Sequence, residues 1–328
     1  MVIRMGIVQT YAIWRAGQTT CDGVSVHRYR ISDRYSAARY GLERWLVRGF
    51  IQLMMERYLK RRPRLRHDSR GNMARWWAYL PPAMRQWRRY MPGGVATHIT
   101  YNPDALEQPD GLRLDPVTRR FFRHSLDATG LRSRAYLLME IASRQLESSS
   151  GTFRWVSLGA GTGIVACDYL TSLSPRLRRR LQVVLVDRDP AALRHGREHV
   201  RRQHLGSVVQ QRQLDITRAR DLAGVLRGRP QLVDALGVVE YLDESAAAAL
   251  AGRVYGALAV DGRFVFSNMA ANRPQLAVHR HALGWPGVIV RRPRQIMQFL
   301  SAAGIPAAAV TFLMADDGMY YICEVTRQ

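Results

Sequence analysis

Three glycines and two aspartates are the residues whose types and spacing point to chemistry. Gly159, Gly161 and Gly163 stand at alternate positions in the stretch WVSLGAGTG, Asp187 follows 28 residues after Gly159, and Asp215 another 28 after that. A glycine presents no Cβ, so a ligand can approach the backbone, and a helix that starts just beyond offers unpaired N–H groups. A carboxylate at the next strand end can accept both hydroxyls of a ribose, and one on the strand after it can accept the exocyclic amine of an adenine. Alone, the glycines would serve a tight turn and each aspartate a helix cap. In series they favour an adenosyl site. A dinucleotide fingerprint would need a third glycine at position 164, which is Ile164, so NAD is not expected.

Such a site needs strands to carry it. The apolar run Phe153 to Leu158 reads as a buried parallel strand, followed by strands at 181–186, 208–214, 231–238 and 262–267. Asp189 with Pro190, Asp243, and Pro293 open the intervening helices. Two last strands, near 308–313 and 319–325, flank a turn with Asp316, Asp317 and Gly318, and so short a connection makes an antiparallel hairpin. Upstream, residues 35–59 suit a helix that runs into the basic cluster Lys60, Arg61, Arg62, Arg64 and Arg66, a solvated end being preferred to a membrane-surface role. The aromatics Trp76, Trp77, Tyr79, Trp87 and Tyr90 are expected to pack as core. The stretch 92–109 reads as a loop able to close over a site, Asp115 with Pro116 caps a helix, and another helix runs over about 132–147. The expected organisation is an N-terminal extension over 1–33, a helical region over 34–148 and an α/β unit over 149–328. The fold class is α/β: a Rossmann-like, doubly wound, seven-stranded sheet ending in an antiparallel hairpin, with an all-helical N-terminal cap.

The 328 residues and 47% hydrophobic content allow a sizeable core. No apolar run is long enough to span a bilayer, and no secretory signal is recognisable, so the expectation is a cytoplasmic protein. Cys21, Cys167 and Cys323 are widely spaced and read as reduced, with no metal site implied. The net charge is +23, from 49 Arg and Lys against 26 Asp and Glu. Residues 1–150 hold 26 of those bases and 12 of the acids, so the excess is shared by both halves. That pattern is a generally cationic surface more than a nucleic-acid stripe, though it admits a nucleic acid or an acidic carrier as partner.

The segments LGAGTG at 158–163, VLVDRDP at 184–190, LDI at 214–216, DALGVVEYL at 234–242 and GRFVFSN at 262–268 resemble the class I S-adenosylmethionine (SAM)-dependent methyltransferases over about residues 150–328. The resemblance implies that Gly159, Ala160 and Gly161 face the methionine part of SAM. It sets Asp187 at the ribose and Asp215 and Ile216 at the adenine, with Gly163, Arg188 and Gly237 in the same cofactor group. One departure stands out: the family usually has an acid two residues before the first glycine, and this chain has Ser157.

Methyl transfer is an in-line displacement in which positioning of the nucleophile does most of the work. Residues just past the fourth and fifth strands face the reacting carbon, which makes Tyr241, Asn268, Glu240 and Ser267 the catalytic candidates. Tyr241 could turn its ring to a sulfonium or its hydroxyl to a nucleophile. The long connection 268–294, with His279, His281 and Trp285, is expected to line an acceptor site; histidine as a base there is an option that spacing alone does not favour. The main expectation is methyl transfer to a small-molecule acceptor. One alternative is attack at the γ-carbon of SAM, either cyclisation to azetidine-2-carboxylic acid with release of methylthioadenosine or aminocarboxypropyl transfer. Another is a non-catalytic RNA-binding protein with a SAM fold.

Overall fold

The computed structural model describes residues 2–5 and 10–328. Strands β1 (Val2–Met5), β2 (Thr10–Cys21) and β3 (Val24–Asp33) come first. Helices follow: α1 (Gly41–Phe50), a π-helical turn (Ile51–Glu56), α2 (Arg57–Lys60), α3 (Met73–Tyr79), α4 (Pro82–Trp87), α5 (Gly94–Tyr101), α6 (Pro116–His124) and α7 (Leu126–Ser148). Strand and helix then alternate through β4 (Phe153–Leu158), α8 (Ile164–Ser172), α9 (Pro175–Arg178), β5 (Leu181–Asp187), α10 (Pro190–Arg202), β6 (Val209–Gln213), α11 (Ala219–Leu226) and β7 (Leu232–Ala235). The chain closes with α12 (Glu244–Ala257), β8 (Arg263–Met269), a π-helical turn (Val278–Leu283), α13 (Pro293–Ala302), β9 (Val310–Ala315) and β10 (Tyr320–Thr326).

The strands form one sheet in the order β1-β2-β3-β9-β10-β8-β7-β4-β5-β6. β4 to β8 run parallel, and β10 is antiparallel to both β8 and β9. Side chains alternate across the pleat. Phe153, Trp155, Val183 and Leu185 meet α7 and α8 on one face, and Val156, Leu158, Val184 and Val186 meet α11, α12 and α13 on the other. Burial on both faces explains the unbroken apolar runs. The expected caps are present: Asp115, Asp189 and Asp243 accept from the N–H groups of Thr118, Ala191 and Ala246.

Two expectations need correction. Among the described residues the sheet has ten strands, not seven, because the N-terminal extension contributes β1, β2 and β3, with β3 lying parallel to β9; the expectation for 1–33 also covers residues 1 and 6–9, outside the described residues. The mixed polar and apolar order of that segment hid it. β2 and β3 pair through a register shift between Arg15 and Gly17, which breaks strict alternation. The second correction concerns 92–109, much of which is α5 and not a closing loop. Residues 41–148 contribute a separate apolar cluster that includes Ile51, Met55, Trp87, Ile99 and Phe122, joined by Val278 and Leu283.

Candidate functional site

A cavity of about 390 Å³ opens at the C-terminal ends of β4, β5 and β7, lined by the glycine turn, by α5 and α7, and by the segment after β8. Open parallel sheets place ligands along this edge because the strand order reverses beside the first strand.

The glycine turn needs its glycines. Gly159, Gly161 and Gly163 have φ of 63°, 58° and 71°, a region that side chains with a Cβ rarely enter. A Cβ on Gly163 would lie 2.3 Å from Leu185 Cδ1. One on Gly161 would lie 2.8 Å from Gly94 Cα, because the start of α5 sits directly on the turn. His98 of α5 is buried against Thr162, with Nδ1 2.8 Å from the hydroxyl. Burial and the neighbouring His199 and His195 push it down to about 3, so the imidazole is neutral.

Gly159, Ala160, Gly161, Gly163, Asp187, Arg188, Asp215, Ile216 and Gly237 all line this cavity. The Asp187 carboxylate accepts from Gly161 N at 2.6 Å and from Asp189 N at 2.9 Å. Burial, the largest influence on it, raises its pKa. Each of its oxygens retains a second lone pair for a ligand hydroxyl. Asp215 folds into a local turn, accepting from Thr217 N and Oγ1 at 3.0 and 2.7 Å, and the hydroxyl bond holds its pKa down.

Asp234, the first residue of the 234–242 segment but given no role by the sequence, lines the same cavity. It lies on β7 directly across from Ser157 on β4. Its two oxygens accept from Trp155 Nε1 at 2.6 Å and Ser157 Oγ at 3.1 Å. Burial pushes its pKa up to about 6. The acid missing at 157 is thus matched by one on the adjacent strand. Only the pairing of β4 with β7 brings the two together.

At the opposite end the lining turns aromatic, with Trp87, Phe121, Phe122, Trp285 and Tyr320. Tyr241 is here, its hydroxyl oxygen accepting from Trp285 Nε1 at 2.6 Å, and burial raises its pKa. Glu240 is buried between Arg134 Nη1, 3.5 Å from Oε1, and Met269 N, 3.1 Å from Oε2. Burial outweighs Arg134 and raises its pKa. The structure does not bring Asn268 to the cavity. Its amide donates to the carbonyls of Met269 and Ile289 and its oxygen accepts from the buried Arg291 at 2.9 Å, so it braces the end of β8. Ser267 is fully buried and accepts from Gly237 N.

His279 lines the same end of the cavity. Its Nδ1 lies 2.9 Å from Asp127 Oδ1, and Arg273 Nη1 lies 2.8 Å from the same oxygen. Although buried, Asp127 is held well below the usual carboxylate range by Arg273 and His279, so it is an acceptor only. The proton of a neutral His279 therefore sits on Nδ1, and Nε2 carries the lone pair. Nε2 is buried without a hydrogen-bond partner among the described residues. The ring lines the cavity and stacks on Trp285 with centroids 6.4 Å apart. The sequence placed His279 on the acceptor-lining segment but gave no sign of Asp127, 152 residues away. Among the described residues no group of three His, Cys, Asp or Glu could hold a metal ion, and no helix is long and apolar enough to cross a membrane.

No family model matches the chain, and no curated protein matches it either. Solved structures do. A Bordetella parapertussis structure described as a possible exported protein is 18% identical, covering 86% of this chain and 95% of its own at a TM-score of 0.59. The apo methyltransferase SibL is 15% identical, covering 94% of this chain and 81% of its own at 0.48. Magnesium protoporphyrin IX methyltransferase from Synechocystis PCC 6803 is 15% identical, covering 66% and 89% at 0.47. Within the sheet, β4 to β10 follow the order β6-β5-β4-β7-β8-β10-β9 with β10 reversed, the doubly wound arrangement with a terminal antiparallel hairpin expected from the sequence.

Proposed function

We propose that the chain transfers the methyl group of SAM to a hydroxyl of a small-molecule acceptor. One observation carries this reading: a single cavity runs from the glycine turn and its carboxylates to a buried, aromatic end where a histidine with a free Nε2 is oriented by an aspartate. The glycine turn provides a cradle that any Cβ would fill. Asp187 takes the ribose hydroxyls, Arg188, Asp215 and Ile216 surround the base, and Gly237 lies beside the reacting end. Asp234, in place of the absent acid at 157, takes the α-amino group.

In the acceptor end, Tyr241 and the aromatic side chains fix the acceptor, and His279 Nε2 removes its hydroxyl proton. The acceptor oxygen's electron pair forms the new bond to the methyl carbon as the carbon–sulfur bond breaks, its electrons passing to sulfur. Asp127 stabilises the imidazolium. Glu240 is a positioning residue, holding Arg134, while Asn268 braces Arg291. The helices of 34–148 act as the cap, closing the cavity through α5 and α7, and residues 149–328 form the SAM-binding unit.

A second reading keeps the donor and changes the bond broken, with attack at the γ-carbon. About 390 Å³ lies at the lower end of the usual range for ligand pockets, which supports an intramolecular closure that needs no second molecule. Incubation with SAM followed by product mass separates the two. Methylthioadenosine formed without an acceptor selects cyclisation; S-adenosylhomocysteine formed only with a hydroxylated acceptor selects methyl transfer. Absence of any SAM or S-adenosylhomocysteine binding by calorimetry, with Asp187→Ala indistinguishable from wild type, overturns both.

A further inference from the structure

We propose that the outward face of α1, the following π-helical turn and α3 is a docking surface for an anionic phospholipid membrane. The face is independent of the cavity and of the reaction assigned to it.

The helix at 41–60 is apolar on two sides. Ile51, Met55 and Leu59 point into the core of the helical region. Leu42, Trp45, Leu46 and Leu53 recur at helical spacing on the other side and are exposed, Leu42 by 71% and Trp45 by 69%. A second apolar stripe on a helix is ordinarily covered by a neighbour, and this one is exposed. α3 lies alongside, tied by Tyr58, whose hydroxyl donates to Gly71 O, and by Trp77, whose ring meets Phe50 and Tyr58 at 6.3 and 6.0 Å. It adds Trp76 and Leu80, both more than half exposed. Among the described residues, nine of the fourteen exposed large hydrophobic side chains fall within residues 42–80. Singly exposed apolar residues need no explanation, but a contiguous patch does.

Charge selects the occupant. Exposed Arg57, Lys60, Arg61, Arg62 and Arg64 follow the apolar stripe directly. The acids of the first helix are already engaged: Glu43 pairs with Arg120, Arg123 and His124, and the buried Glu56 pairs with Lys60. Residues 73–90 contain no acid at all. A second copy would meet this face with the same cations and a net charge of +23 of its own, so it offers nothing to neutralise them. Anionic headgroups do, while tryptophan favours the boundary between headgroups and acyl chains. Association is in the plane of the interface, since no helix among the described residues can span it.

The test is sedimentation of the full chain with vesicles of phosphatidylcholine alone or with one quarter phosphatidylglycerol. Two triple variants accompany it: Trp45→Ser, Leu46→Ser, Leu53→Ser, and Arg61→Gln, Arg62→Gln, Arg64→Gln. The expected result is binding to the phosphatidylglycerol vesicles only, weakened about tenfold or more in each variant. Circular dichroism and thermal midpoint should stay at wild-type values, because the substituted side chains are exposed. Wild-type affinity in the serine variant would mean adsorption by charge alone and would overturn the proposal. So would a wild-type dimer in light scattering that the serine variant converts to monomer, which would assign the face to a second copy.

Discussion

The two ends of the cavity are built by different means. At the glycine end the ligand-facing groups are backbone and short carboxylates, each fixed at a strand terminus: Gly159 and Gly161 after β4, Asp187 as the last residue of β5, Asp215 after β6. At the aromatic end they are long side chains drawn from α4, α6, α7, the turn after β7, the π-helical turn at 278–283 and β10. A strand terminus positions a group by the register of the sheet, so the first end is rigid by construction. The second end depends on helix packing, and its chemistry rests on pairs such as Asp127 with His279.

The contrast predicts that substitutions at the aromatic end change turnover and those at the glycine end change affinity. The largest effect is expected from His279→Ala. Loss of a general base costs about a hundred- to ten-thousand-fold in kcat, with S-adenosylhomocysteine affinity by calorimetry unchanged. Asp127→Asn should follow it in direction, since an amide can donate to Nδ1 and favour the wrong tautomer. Wild-type kcat in His279→Ala would remove the base from the mechanism.

Next in size is Gly161→Ala. Its Cβ would meet the backbone of Gly94 at 2.8 Å, at a φ of 58°, and backbone cannot move aside as a flexible side chain can. Overpacking costs about 1–3 kcal/mol, read as a rise in Kd of roughly 5- to 160-fold where the strain falls on the ligand-holding turn. If Kd stays fixed while kcat falls, the division between the ends is wrong.

How much of this was legible follows from the same contrast. Gly159, Asp187 and Asp215 could be found because strand–turn–helix units of similar length bring successive strand ends to one edge, so spacing in sequence maps onto spacing in the fold. Asp234 escaped because it sits within an apolar strand, and only strand pairing sets it across from Ser157. Asp127 escaped because helix packing, which leaves no fixed spacing, joins it to His279. Trp76 was expected in the core with its aromatic neighbours and is more than half exposed, whereas Tyr79 and Trp87 are buried. The aromatic density was readable, but the side of the helix that each ring takes was not. β1 to β3 escaped for want of alternation.

Asp234 gives a smaller effect with a distinctive pH signature. Its folded pKa is about 6, against 3.8 unfolded. The folded state therefore binds that proton more tightly, and its contribution to stability is present below 3.8 and lost as pH rises through about 6. Binding of a ligand ammonium needs the carboxylate, so the two trends oppose each other. Affinity for S-adenosylhomocysteine should rise as pH increases through about 6, where the carboxylate forms. Asp234→Asn should flatten this rise and weaken binding about tenfold at neutral pH. A rise that persists in the variant would assign it to another group.

Asn268 gives the smallest effect on activity and the clearest test of position against chemistry. As a strand-end residue it could orient an acceptor, yet the structure turns it away from the cavity, between two carbonyls and the guanidinium of Arg291. Arg291 is fully buried, and it also donates to the carbonyls of Val239 and Leu242 at the turn that carries Glu240 and Tyr241. Removing one acceptor from a buried cation costs about 1–3 kcal/mol. Asn268→Ala should therefore lower the denaturation midpoint while leaving kcat and Kd near wild type at temperatures where the protein is folded. Asn268→Asp, which keeps the acceptor for Arg291 but loses the donors to Met269 and Ile289, should recover part of the stability. If Asn268→Ala instead lowers kcat at unchanged stability, the side chain reaches substrate, and the aromatic end extends to β8.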